Sequence, residues 1–134
     1  MIQNLDLDFS NTIIAALDIK ITKYTPEEIR ATMPVTPQTH QPFGVLHGGV
    51  SLVLAETVAS AGSYLFIDKN HQSAVGLEIN ANHLRSQKDG IIEAIAVPLH
   101  IGRRTIVWDI RIYNEAKKPI CVSRCTIAII DNNN

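Results

Sequence analysis

A single charged residue, Glu56, lies in the middle of the most apolar stretch of this sequence. The segment 48–67 holds about twenty residues with apolar side chains on every side, and it would be about 30 Å long as a helix. A helix that is apolar all round is expected to be buried all round. A buried carboxylate is costly unless it is hydrogen-bonded, paired or protonated. We therefore interpret Glu56 as the catalytic candidate, with a carboxylate held in a structural network as the alternative.

Two glycines, Gly48 and Gly49, stand where this helix is predicted to begin, directly after His47. The first N–H groups of a helix have no intrahelical acceptor, and the helix dipole places partial positive charge at the same end. Groups of this kind stabilise negative charge that develops on a substrate. The glycines therefore indicate an anion-stabilising site. The alternative is a tight loop-to-helix turn that needs glycine.

Other catalytic chemistries lack the residues that they need. The histidines at 40, 47, 71, 83 and 100 show no HxxxH or cysteine-paired spacing, so we predict no metal site and no cofactor. The sequence contains no GxSxG motif, which argues against an α/β-hydrolase. Cys121 and Cys125 lie four residues apart in a strand-like segment, which is too far for a disulfide. They are interpreted as core thiols.

The composition describes one ordinary globular domain. With 134 residues, 46% of them hydrophobic, the chain can build a core without metal or disulfide. We treat 1–134 as a single domain with frayed ends at 1–9 and 131–134. The 12 basic and 13 acidic residues form no run of either sign, which argues against nucleic-acid binding and polybasic membrane attachment.

Two segments bear on the compartment. Residues 1–8 lack the basic and apolar regions of a signal peptide, so we expect a cytoplasmic protein. The stretch 42–67 has the length of a membrane span. A charge at mid-span costs about 2.5 to 3.5 kcal/mol on insertion scales. Glu56 therefore favours the core helix of a soluble protein, and we expect no membrane partner.

Strand-like segments flank the central helix. Ser10 is predicted to cap a short helix that ends near residue 17. Strands are predicted at 18–24, 29–35, 72–85, 91–99, 104–113 and 120–130, with Lys88-Asp89-Gly90 as a hairpin turn before the fourth of them. One long helix among strands that short connections can join predicts an antiparallel sheet curled around the helix, an α+β fold.

Three blocks of sequence, in a fixed order, connect this chain to a known family. They are Gln41-Pro-Phe-Gly-Val-Leu-His-Gly-Gly followed by Glu56, then Gly76-Leu-Glu-Ile-Asn-Ala-Asn-His83-Leu-Arg85, then Pro98-Leu-His-Ile-Gly-Arg103. The chain resembles the hotdog-fold acyl-CoA thioesterases, and it is most similar to the PaaI-like branch that contains 1,4-dihydroxy-2-naphthoyl-CoA hydrolase and 4-hydroxybenzoyl-CoA thioesterase. The resemblance implies the hotdog fold and hydrolysis of an acyl-CoA, aromatic or medium- to long-chain, to free acid and CoA.

The resemblance also implies roles for residues around the central helix. Glu56 would act as nucleophile or as general base, a choice that the sequence leaves open. The N–H of Gly48 would bind the thioester oxygen, and His47 and Gln41 would orient the carbonyl or the water. Ser60, one helical turn past Glu56, would lie near the attacking water or the carboxylate. A loop-stabilising hydrogen bond is the alternative for Gln41, and plain packing is the alternative for Ser60.

A second group of residues would hold the substrate. By the same resemblance His83, Gly76 and Gly49 belong to the substrate pocket. Arg85 and Arg103 would meet the phosphates of CoA, because the guanidinium fork suits phosphate oxygens. An ordinary strand histidine and ordinary surface arginines are the alternatives.

The resemblance further implies a homo-oligomer, either a dimer or a dimer of dimers (homotetramer), whose active site lies at the dimer interface. Gln41, His47 and Gly48 of one subunit would serve Glu56 of the other. Two other functions compete with this interpretation: a hotdog dehydratase or hydratase acting on acyl-ACP or acyl-CoA, and a non-catalytic acyl-CoA-binding module. The Gln41 to Glu56 block departs from the His-plus-carboxylate arrangement of the dehydratases. A binding module would have no need of Glu56.

Overall fold

One six-stranded antiparallel sheet and one long helix make up the protein, for which a computed structural model describes residues 5–133. The elements are α1 (Ile13–Ala16), β1 (Lys20–Tyr24), β2 (Ile29–Pro34), α2 (Gly48–Ser63), β3 (Gln72–His83), β4 (Ile91–Ile101), β5 (Thr105–Tyr113) and β6 (Pro119–Asp131), with 3-10 turns at Pro37–Thr39 and Tyr64–Phe66. The strand order is β1-β2-β4-β5-β6-β3. The α+β hotdog arrangement predicted from the sequence is confirmed.

The core lies between α2 and one face of the sheet. Alternation in β5 places Ile106, Trp108 and Ile110 on that face, and all three side chains are fully buried. From the helix, Leu54 and Val58 pack into the same cluster. Burial of this apolar surface is the main term that stabilises the pairing of helix and sheet.

A buried polar contact fixes the C-terminal end of α2 on the sheet. The indole N–H of Trp108 donates to Ser63 Oγ at 2.9 Å, and that hydroxyl donates to the carbonyl oxygen of Ala59 at 2.8 Å. A Cβ atom on Gly62 would lie 2.6 Å from the Trp108 ring. The glycine therefore lets the helix approach the tryptophan closely enough for its N–H to be satisfied.

The expectation that α2 is buried on every side is wrong for the single chain. Its buried residues, Ser51, Leu54, Ala55, Val58, Ala59, Ala61, Gly62 and Ser63, define one face and the C-terminal end. On the opposite face Val53, Glu56 and Ser60 are only half-buried. The chain does not supply enough sheet to cover an all-apolar helix, so one side remains for another surface or a ligand.

The predicted hairpin between β3 and β4 is also wrong. Gly90 does form a turn, with φ +83. The strands on either side of it do not pair, because β3 bonds to β6 at one edge of the sheet while β4 bonds to β2 near the other. Residues 84–90 therefore connect two separated parts of the sheet, and β3 becomes an edge strand.

The first helix is capped differently from the prediction. The N-cap residue of α1 is Thr12, without a side-chain cap bond. The hydroxyl and the N–H of Ser10 both donate to Asp8 Oδ1, at 2.6 and 3.0 Å, so Ser10 belongs to a preceding turn. The remaining strand predictions agree with the structure to within two residues at each end.

By length and composition alone, the helical segment Gly48–Phe66 passes the test for a membrane span. Nearly half of this segment is buried inside the protein, against the sheet. That packing is typical of a core helix.

Candidate active site

The carboxylate of Glu56 lies directly over Gly76 of β3. A Cβ atom on Gly76 would stand 3.2 Å from Glu56 Cδ and closer still to Oε2. No other charged residue lies within α2. The strand also carries a register shift between Gly76 and Glu78, beside this contact. Because β-bulges re-aim side chains next to functional sites, this part of β3 is shaped around the carboxylate.

Gly76→Ala is expected to displace the Glu56 carboxylate. The added methyl group would meet only the Glu56 carboxylate, the end of a flexible side chain, so its displacement should cost less than the roughly 1 to 3 kcal/mol of overpacking in a closed core. We expect a lower melting temperature and at least about a tenfold loss of kcat. The double variant Gly76→Ala with Glu56→Ala should melt at the temperature of Glu56→Ala alone. An equal drop in melting temperature in both backgrounds would show that the methyl group meets something other than Glu56.

Glu56 and Ser60 line the same cavity, of about 370 Å³. Their side chains stand one helical turn apart on the open face of α2. The other lining residues are mainly apolar, and they come from the N-terminal segment as well as from the helix. An apolar cavity with a few polar groups at one side is typical of a small-molecule site.

The N-terminus of α2 presents one free backbone donor. The ring of His47, the N-cap residue, accepts the Gly49 N–H on Nδ1 at 2.8 Å, and the His47 carbonyl oxygen accepts from Val50 at 3.0 Å. Within residues 5–133 the Gly48 N–H has no recorded acceptor. His47 and Gly49 are thus committed to the cap, and Gly48, which is half-buried, is left with the unpaired donor at the positive end of the helix dipole.

A second cavity, of about 350 Å³, contains Gly48 together with Gln41, His83 and Arg85. A Cβ atom on Gly48 would lie 2.7 Å from His83 Nε2, so the imidazole packs on the bare glycine backbone. The side-chain amide oxygen of Gln41, Oε1, accepts the Phe43 N–H and so closes the loop before the helix. Gln41 therefore makes the loop-stabilising hydrogen bond that was the alternative to a catalytic role. Its side-chain NH₂ group remains available to a ligand.

The structure places Glu56 and Ser60 in the first cavity and Gln41 and Gly48 in the second, while His47 lines neither. Glu56 lies eight positions after Gly48 in α2, which corresponds to about 12 Å along the helix axis. An oxyanion donor has to lie about 3 Å from the oxygen of the carbonyl under attack. Glu56 and Gly48 of one chain therefore do not act on the same carbonyl group.

The two predicted phosphate ligands are likewise far apart. Arg85 follows the end of β3, where His83 pairs with Cys121 of β6. Arg103 precedes β5, whose first residue, Thr105, pairs with Ala128. Cys121 and Ala128 are seven positions apart in β6, which is about 23 Å. Within one chain the two arginines stand at opposite ends of the sheet.

The cysteines are not rival nucleophiles. Both are free and buried, as predicted. Burial raises the pKa of the Cys125 thiol to about 12, and the charges of Glu56 and Glu78 add to the rise. Burial also raises the pKa of Cys121. Both thiols stay protonated at neutral pH and are therefore poor nucleophiles. Within residues 5–133 no group of three or more His, Cys, Asp or Glu residues is placed to hold a metal.

The sequence prediction missed one part of the site. Leu7, Phe9, Ile13 and Ile14 line the cavity that holds Glu56, although we expected residues 1–9 to be frayed and assigned no role to this segment. Alternation of apolar residues at 5, 7 and 9 was the available signal. It did not show which surface these side chains would meet.

The chain belongs to the thioesterase superfamily, whose sequence profile matches residues 43–121. Together with the hotdog fold and the carboxylate on the central helix, this membership defines an acyl-CoA thioesterase.

Among its relatives is 1,4-dihydroxy-2-naphthoyl-CoA hydrolase from Escherichia coli, which is 46% identical over 118 residues, 88% of this chain and 86% of the relative. The putative esterase ComA2 from Bacillus subtilis is 56% identical over 124 residues, 92% of this chain and 98% of the relative. The crystal structure of a glutamine-to-alanine mutant of thioesterase PA1618 from Pseudomonas aeruginosa has a TM-score of 0.93 at 43% identity, covering 98% of this chain and 95% of that one.

Proposed function

We propose that this protein hydrolyses an aromatic acyl-CoA to the free acid and CoA, with Glu56 as the catalytic carboxylate. The observation that carries the proposal is the position of Glu56. It is the one charged group of α2, its carboxylate stands over Gly76, and it borders an apolar cavity. The similarity to 1,4-dihydroxy-2-naphthoyl-CoA hydrolase supports an aromatic acyl group. Hydrolysis in the cytoplasm, where CoA esters are made and used, is part of the proposal.

The chemistry requires an ionised carboxylate aimed at the thioester carbonyl carbon. Glu56 either attacks that carbon directly or takes a proton from the water that attacks it. In both routes the carbonyl oxygen gains negative charge, the C–S bond breaks, and the CoA sulfur leaves and is protonated. In the general-base route water attacks the thioester carbon itself; in the nucleophilic route it hydrolyses the anhydride formed between Glu56 and the acyl group, which frees Glu56 and releases the acid. Ser60, on the same face of the helix, is positioned to hold that water.

The oxyanion donor has to come from a second copy of the chain. We expect two chains to pair through β3. This edge strand has 12 residues, whereas β1, the other edge strand, has five. Leu77 and Val75 on β3 are 64% and 42% exposed. Long apolar edge strands tend to pair with a strand of another chain, and a twofold axis permits antiparallel pairing of β3 with the β3 of another subunit.

Such pairing brings the two separated cavities together. In an antiparallel pair whose axis lies near Ile79 and Asn80, Gly76 of one chain is opposite His83 of the other. Glu56 lies over Gly76, and Gly48 lies against His83. The carboxylate of each subunit then faces the Gly48 N–H of its partner. His47 and Gln41 stand beside that donor, and a dimer of dimers repeats the arrangement.

The same twofold axis explains the positions of the arginines. It places the Arg103 end of one sheet beside the Arg85 end of the other, so that both residues are available to one CoA molecule. Arg85→Ala and Arg103→Ala are each expected to raise KM for acyl-CoA several-fold and to weaken its salt dependence, with little effect on kcat. Initial rates at several salt concentrations measure this effect.

A truncated thioester without the nucleotide provides the control substrate, and Arg124→Ala provides the control variant. Arg124 is exposed on the outer face of the sheet, opposite Asn80. Its replacement should change neither KM nor the salt dependence. Equal losses on acyl-CoA and on the truncated thioester would place Arg85 and Arg103 away from the phosphates.

A substrate panel tests the proposed activity. Benzoyl-CoA, a naphthoyl-CoA and straight-chain acyl-CoA esters from acetyl to palmitoyl are compared by release of free thiol. We expect the highest kcat/KM with the aromatic esters. A preference for straight chains over every aromatic ester would contradict the proposed substrate class, and hydration without thiol release would favour the hydratase alternative.

A further inference from the structure

The N-terminal segment, defined here as residues 7–14, forms one wall of the cavity that holds Glu56. Leu7, Phe9, Ile13 and Ile14 come from this segment, and Val53 and Tyr64 stand across from them. None of the four has a role in the chemistry described above. A cavity wall built from a separate segment can differ between proteins without disturbing the helix that carries the carboxylate.

The segment is held in place by its own hydrogen bonds and by one anchor. The Thr12 hydroxyl donates to the Phe9 carbonyl oxygen, and Asp8 accepts from Ser10. Ile14 packs against the core cluster. The position of the segment therefore does not depend on the side chains of Leu7 and Ile13.

Those two side chains remain accessible from the cavity. Leu7 is 37% exposed and Ile13 is 55% exposed. Apolar side chains that border a pocket and keep this much exposure are available to bury apolar ligand surface. Of the polar residues that line the same cavity, Glu56, Thr57 and Ser60 lie on α2.

We infer that this segment is the acyl-specificity wall of the enzyme, and that Leu7, Phe9 and Ile13 bury the acyl group while Glu56 engages its thioester carbonyl. The inference rests on the proposed function, because the carbonyl has to reach Glu56 before the acyl group can fill this cavity. A cavity of about 370 Å³ is near the small end of the range for ligand sites, about 300 to 1,000 Å³. The wall therefore favours a compact, mainly apolar acyl group over a long chain.

Substitutions that fill the cavity test the inference. Ile13→Trp and, separately, Leu7→Trp are assayed with the bulkiest and the smallest acyl-CoA that the wild-type enzyme hydrolyses. We expect the ratio of the two kcat/KM values to fall at least about tenfold in favour of the small substrate, since single-methylene differences in apolar pockets are worth about 10- to 200-fold. Ile13→Ala should move the ratio the other way or extend the range of accepted acyl groups.

Ile91→Trp is the matched control, because Ile91 is 52% exposed and does not line this cavity. Its ratio should equal that of the wild type, and thermal melting verifies that each variant is folded. The specificity wall is overturned if the ratio of the two kcat/KM values stays within twofold of wild type in both Ile13→Trp and Leu7→Trp. It is also overturned if Ile91→Trp changes the ratio as much as they do. Failure of the proposed function appears differently, as absence of thiol release by the wild-type enzyme from every ester in the panel.

Discussion

Replacement of Glu56 by Gln is expected to lower kcat by about 10²- to 10⁴-fold, the usual scale for loss of a general base, while the protein stays folded. Gln has nearly the same shape as Glu, so the contact with Gly76 and the packing of α2 are retained. What the variant loses is the negative charge that attacks the carbonyl or activates water. Glu56→Asp keeps the charge on a shorter side chain and should retain part of the activity.

The measurement is the steady-state rate of thiol release with the best substrate, together with thermal melting. Glu78→Gln is a suitable control, since Glu78 is an exposed carboxylate on β3, two residues after Gly76. It should hydrolyse the substrate at the wild-type rate. Wild-type kcat in folded Glu56→Gln would mean that another group performs the attack.

Co-refolding two inactive variants is expected to restore activity if the active site is shared between subunits. One variant is Glu56→Ala. The other combines Gln41→Ala with His47→Ala, which removes the contact of Gln41 with the Phe43 N–H and the side-chain cap of α2. Each mixed dimer then carries one site with both defects and one site with neither. Random mixing leaves about a quarter of all sites intact.

The matched control mixes Glu56→Ala with Glu56→Gln. Both changes affect the same half of each site, so every site stays defective however the subunits pair. Native mass spectrometry verifies that mixed dimers have formed. Activity of the first mixture that stays at the sum of the two variants, with mixed dimers present, would place Glu56 and its oxyanion donor in one chain.

Features that depend on local sequence were predictable. The strand predicted at 104–113 alternates, so that Ile106, Trp108, Ile110 and Ile112 share one face, and all four are fully buried. Glu56 and Ser60 were placed one helical turn apart by their spacing, and they line one cavity. Side-chain periodicity is set by backbone geometry, which each segment carries in its own sequence.

Features that depend on distant partners were not predictable. Lys88-Asp89-Gly90 gives the chain a turn, but a turn does not specify which strands pair when both have other partners with apolar faces. Gly76 was assigned to substrate binding from resemblance alone. Its contact with Glu56 depends on the way in which α2 crosses β3, and no pattern within either segment contains that information.

The position of β3 beside β6 has a consequence during synthesis of the chain. Gly76, which lies under the Glu56 carboxylate, pairs with Ile127, 51 residues later (127 − 76). At about 5 to 20 residues per second, the ribosome needs roughly 3 to 10 seconds to deliver that partner. Until β6 emerges, the strand under Glu56 has no neighbour in the sheet. The nascent chain thus has no formed site for its substrate until the residues of β6 have been synthesised.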